Sequence, residues 1–171
     1  FGSVPLLEDA AAQSKLAAKL TSLSLPVVEG APTSDIAATV NGTTFSIESN
    51  SFGIERISLG FDGDHATITI ADAVGDHGMV AGYGIWRAGI AERRVLGRDR
   101  FWSSGAAGER MAANGAWTAE DTYELRICYT EGEVCPILRF RFSDAAMSLE
   151  IDPNVSWDEP TVTTLTGRAD A

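Results

Sequence analysis

The feature that most narrows what this chain can fold into is a change in the period of its apolar residues. Up to about position 23 they recur every three or four positions, and from Ile36 onward they recur every second position. In the first stretch, Leu6, Leu7, Ala10, Ala11, Ala17, Leu20 and Leu23 share one helical side, with Leu16 near its edge. Glu8, Asp9, Gln13, Lys15 and Lys19 lie between them. Acids open this stretch and lysines follow, as the helix dipole favours. Pro26 and then Gly30-Ala31-Pro32 end it.

The second stretch reads as a run of short strands. Segments 36–40 and 43–48 flank Asn41-Gly42, a type I′ hairpin signal. Ile57, Leu59 and Phe61 alternate with polar residues or glycine, as do Ala66, Ile68 and Ile70 after Asp62-Gly63-Asp64. Further strands are expected near 77–83, 110–117, 121–130, 133–142 and 145–151, whereas Asn154–Ala171 has no clear period. Roughly eight or nine strands joined by short turns favour a mainly β fold, an antiparallel up-and-down meander closed into a barrel or strongly curved sheet. Its outline is lipocalin-like, and a two-sheet sandwich is the alternative. Residues 1–32 form the helix and linker and 33–171 the β domain, the two making one folding unit in which the helix plugs or covers one end or edge of the sheet.

Charge and composition exclude several classes of function. The 171 residues carry a formal charge of −11 with 24 acids against 13 basic residues. Nucleic-acid binding draws its affinity from Lys and Arg on phosphates, so nucleic acid is a poor partner. No stretch approaches the roughly 18 apolar residues of a membrane-spanning helix. Opening on Phe1-Gly2-Ser3 without an initiator Met fits a piece of a longer polypeptide.

The only lysines, Lys15 and Lys19, lie in the N-terminal helix and follow Ala12 and Leu16 at three positions. A serine acyl enzyme of the Ser-x-x-Lys type needs a serine there, so that the amine one turn on takes its proton. Neither lysine qualifies, and no Gly-x-Ser-x-Gly occurs. The two Gly-Asp-His repeats, at 63–65 and 75–77, suggest metal ligands by residue type, but a strand separates them. At ~3.3 Å per residue they stand on the order of 25 Å apart, at opposite ends of the sheet, and read as hairpin turns. With 24 acids, a pair of carboxylates suited to glycoside hydrolysis carries no information. No catalytic residue, cofactor or metal site is therefore assigned.

Three features remain. If Glu131-Gly132 makes a two-residue turn, Cys128 faces Cys135 at a separation a disulfide spans, on the side opposite Tyr123, Leu125, Ile127 and Tyr129. The alternative is two reduced thiols; a bond would indicate an oxidising compartment. Between 87 and 109 the alternation fades while arginines accumulate, marking a long loop. Trp86, Arg87, Arg93, Arg94, Arg98, Arg100, Phe101 and Trp102 form a candidate docking or anionic-ligand surface there, against the simpler reading of a solvated loop. Trp86, Trp102, Trp117 and Trp157 could line a sugar or lipid pocket, but aromatics at strand ends are more often core and rim packing.

Particular stretches carry a resemblance. They run from Gly30-Ala31-Pro32-Thr33-Ser34 through the Asn41-Gly42 strand pair, Phe52-Gly53-Ile54, Phe61-Asp62-Gly63-Asp64 and Gly82-Tyr83-Gly84-Ile85-Trp86 to Ala112-Ala113-Asn114-Gly115-Ala116-Trp117-Thr118. Asp121-Thr122, Asn154-Val155-Ser156 and Leu165-Thr166-Gly167-Arg168 complete the order. This succession resembles the C-terminal accessory domain of bacterial serine hydrolases of the class C β-lactamase and penicillin-binding-protein-like group. The resemblance implies that the acylating serine, lysine and tyrosine belong to an upstream catalytic domain, the partner of this one, and that the protein is periplasmic or extracellular. Glu131-Gly132-Glu133 and Trp157-Asp158-Glu159 depart from the turns expected of that group. The expected function is thus a non-catalytic accessory domain of an exported serine hydrolase. A small apolar-ligand barrel is the alternative, and a dimerisation module a weaker one.

Overall fold

The computed structural model describes residues 9–91, 108–132, 135–154 and 162–170. Two helices, α1 (Ala10–Thr21) and α2 (Ala37–Val40), precede and flank ten strands. These are β1 (Thr44–Ile47), β2 (Ile54–Asp62), β3 (His65–Asp72), β4 (Gly75–Gly82), β5 (Arg87–Ala91), β6 (Glu109–Ala119), β7 (Thr122–Tyr129), β8 (Ile137–Ser143), β9 (Ala146–Asp152) and β10 (Thr163–Ala169). The strands form one sheet in the order β4-β3-β2-β1-β10-β9-β8-β7-β6-β5, and β4 also meets β6. Nine strands thereby close a barrel, with β5 as an extra strand on β6.

Closure follows from parity. Every neighbouring pair around the ring is antiparallel, so direction alternates, and with an odd number of strands the last pair must run parallel. That pair is β4 with β6, and its register holds only Gly82 opposite Asn114. Strand β5 takes the β6 edge from Glu109 to Ala113, which leaves β4 this single position.

Alternation sends one face of each strand into the barrel. Phe45, Ile57, Leu59, Ile68, Ile70, Leu125, Ile127, Leu138, Phe140, Phe142 and Met147 are fully buried. Trp117 links Phe61, Tyr123 and Phe142, with ring centroids 4.9, 5.6 and 5.8 Å away. Burying a side chain of this size contributes about 1.5–3 kcal/mol, so the interior is the main source of stability.

Three sequence expectations are corrected. Residues 36–40 are helical rather than extended, because Ala37 N–H bonds Ser34 C=O and Val40 N–H bonds Ile36 C=O, burying Ala37 and Val40 under the barrel. Asn41-Gly42 is accordingly not a hairpin turn. Asn41 at φ −61 and ψ 119, Gly42 at φ 74 and a Thr43 N–H to Val40 C=O bond make a type II turn. The tail contains β10, which joins β9 to β1.

The N-terminal helix does not plug or cover the barrel. Asp9 caps it by accepting from Ala12 N–H at 2.9 Å, yet none of its residues is buried. Leu16 and Leu20 are each 58% exposed. The rest of its apolar stripe is alanine, which offers little area to bury against a sheet. The segment that does pack on the barrel is the chain that follows, Leu25 to Pro32.

Candidate functional site

The seam left by β4 and β5 along β6 is where the fold gathers its unusual polar contacts. Beyond Asn114, the β6 edge opposite β7 has no strand to pair with among the described residues, and the strap from Leu25 to Pro32 takes that place. Ala31 and Trp117 exchange both backbone hydrogen bonds, at 2.8 and 3.0 Å. Asn114, fully buried, accepts the Val28 N–H at 2.7 Å, and Val28 is buried with it. From the turn after β4, Tyr83 Oη donates to Gly30 C=O at 3.2 Å and Trp86 Nε1 to Leu25 C=O at 3.0 Å. Gly30 is required here, since a Cβ would stand 2.9 Å from the Trp117 carbonyl carbon and nearer still to its oxygen. The strap therefore shields an edge that would otherwise expose unpaired backbone groups.

Two of the candidate docking residues lie at this seam. Trp86 is half-buried against the strap, and Arg87 opens β5 with its guanidinium 3.6 Å from Asp64. Residues 87–91 are thus strand, not loop. Arg93, Arg94, Arg98, Arg100, Phe101 and Trp102 lie outside the described residues, as does Trp157. Trp117 belongs to the interior aromatic cluster.

His65 opens β3, and His77 lies on β4 opposite Ile70, towards the far end of β3. His65 bonds Asp64 at 2.7 Å, a contact that, with a smaller contribution from Arg87, holds the Asp64 carboxyl below its usual range. His77 Nε2 lies 3.2 Å from Asp72 Oδ1. Asp72 Oδ1 also accepts Val74 N–H at 2.7 Å, which makes the pair part of the β3–β4 turn. His77 Nδ1 is buried without a hydrogen-bond partner among the described residues. No group of three or more His, Cys, Asp or Glu side chains converges as metal ligands among the described residues.

On the outer face of β7, β8 and β9, Glu124 is buried beneath two arginines. Arg126 Nε approaches it at 3.1 Å and Arg139 Nε at 3.0 Å, while Arg139 Nη1 reaches Glu150 at 2.6 Å and Asp152 at 3.4 Å. Partial burial opposes the Arg139 charge, but the carboxylates of Glu150 and Glu124 outweigh it and raise its proton affinity. This arrangement holds three strands in register and presents no open acid or base.

One pair further along that face stand the cysteines. The β7–β8 register, Thr122 with Arg141 through Arg126 with Ile137, continues to Cys128 opposite Cys135. The sulfurs lie 2.6 Å apart, and both residues are free thiols of intermediate exposure.

No protein-family model matches the sequence, and no curated protein matches it. The strap was not legible as part of a site, because its importance depends on Gly30 meeting Trp117, 87 positions away in the chain. The only local signal was Gly30-Ala31-Pro32, which equally marks a linker.

Proposed function

We propose that this chain is a non-catalytic accessory domain of an exported serine hydrolase with a β-lactamase-like catalytic domain, to which it docks through α1. The observation that supports it best is the helix. A capped helix carrying Leu16 and Leu20, followed by Leu23 and Leu25, leaves all four leucines more than half exposed. A helix of this length is marginal alone in water and draws its stability from packing an apolar face. The partner that the resemblance implies is the upstream catalytic domain, and the location is periplasmic or extracellular. The small-ligand alternative gains nothing from an interior occupied by Phe45, Phe140, Phe142 and Leu125.

The purified chain is expected to hydrolyse neither nitrocefin nor short acyl esters; turnover abolished by a serine-directed inhibitor would overturn the proposal. Leu16→Ser with Leu20→Ser should leave the barrel's melting temperature unchanged, because neither leucine is buried against it, and should weaken association with the catalytic domain. An upstream coding region without a Ser-x-x-Lys segment would remove the proposed partner.

A further inference from the structure

The cysteine pair sits where the β7–β8 ladder ends, for a reason written in the sequence. Ile127 N–H donates to Pro136 C=O at 3.1 Å, but proline has no N–H to return the bond. The next pair, Cys128 with Cys135, is a non-hydrogen-bonded one, in which facing Cα atoms approach to about 4.5 Å, within the range a disulfide spans. Cys135 is held there by its N–H, which donates to Asn154 Oδ1 at 2.5 Å. The positions are only seven apart, and a ring this small constrains the unfolded chain weakly. Both residues are of intermediate exposure, so a disulfide between them is partly accessible to exchange. Burial, then the hydrogen bond and charge of Cys128, push the Cys135 thiol up to about 12, so it keeps its proton at neutral pH until it reacts.

We propose that Cys128 and Cys135 form a reversible dithiol–disulfide site, oxidised by exchange with a small-molecule disulfide of the glutathione class, which clasps the β7–β8 hairpin beside its connecting turn. One cysteine sulfur, having lost its proton, attacks a sulfur of the incoming disulfide. That S–S bond breaks, and the departing thiolate takes up a proton. The second cysteine loses its proton and attacks the mixed disulfide, expelling the other small thiol. Two protein thiols become one disulfide while one small disulfide becomes two thiols. The site does not depend on the accessory role.

The test incubates the whole chain in mixtures of reduced and oxidised glutathione, traps free thiols with iodoacetamide and reads the mass. Two adducts are expected under reducing conditions and none under oxidising conditions, with a mass about 2 Da lower before trapping. Excess reduced glutathione should restore both adducts, and the oxidised form should melt a few degrees higher. Cys128→Ala and Cys135→Ala, with unchanged circular dichroism, should each retain one stable glutathione adduct. A wild-type chain that stops at mixed disulfides, or a bond that excess reduced glutathione leaves closed, would overturn the proposal.

Discussion

Replacing Gly115 with alanine places one methyl group at a crowded point of the barrel. The Cβ would stand 2.6 Å from Tyr123 Cζ, closer still to its Oη, and 2.8 Å from the Glu124 carbonyl oxygen. Ordinary contact begins near 3.4 Å. The tyrosine must therefore retreat by more than the ~0.8 Å that Cζ alone would require, because Oη stands closer. It has little room, because its edge packs on Phe61 at 5.1 Å and on Trp117 at 5.6 Å. Overpacking of this kind costs about 1–3 kcal/mol, and loosening two aromatic contacts adds about 0.5–1.5 kcal/mol each. About 3 kcal/mol is expected, which for a chain of this size lowers the melting temperature by about 6–12 °C. Combining Gly115→Ala with Tyr123→Leu removes the tyrosine atoms in the way and leaves only the Glu124 carbonyl oxygen, so the two changes should be less than additive by about 1.5 kcal/mol. Thermal unfolding of the four proteins of this cycle checks it. A single variant melting within about 2 °C of the parent, or strict additivity, would refute the packing argument.

Gly30→Ala should lift the strap from β6 at a cost of about 1–3 kcal/mol and speed amide exchange at Ala31 and Trp117, because both lose their shared bonds; exchange rates equal to the parent's would count against it. The pH dependence of stability should carry a signature of Asp64. Its folded proton affinity is depressed, so its contribution is present above the unfolded value near about 3.9 and disappears as pH falls through the folded one. Asp64→Asn should therefore flatten the acid limb of the melting-temperature profile below about pH 4, and a superimposable profile would show that the His65 contact does not matter.

What sequence reasoning reached depended on side-chain size. Strands β3, β7, β8 and β9 were legible because their inward residues are large, as in Tyr123, Leu125, Ile127 and Tyr129, and their outward ones polar. Strand β10 escaped because two of its inward positions are Gly167 and Ala169. They are small for a reason visible only across the sheet: a Cβ at Gly167 would meet Ile47 Cδ1 at 2.6 Å. Strand β5 escaped because only its last residue, Ala91, is buried, so it shows no apolar alternation. At the site, facing cysteines followed from counting across one turn, since a hairpin register is local. The strap and the exposure of α1 depend on which surfaces meet after folding, and periodicity does not contain that.

The pairing of β1 with β10 also sets when the domain can form. Ser46 bonds Asp170 across 124 positions, so the two halves of the ring meet only when almost the whole chain is available. During synthesis, β1 and β9 would present bare edges until β10 has left the ribosome, and such edges invite pairing with other chains. Contacts between positions so remote also slow folding, because the entropy of closing the loop is lost before the pairing compensates it. The interval before β10 emerges is thus when this domain is most exposed to aggregation, and a chain truncated before Thr163 should remain permanently in that state.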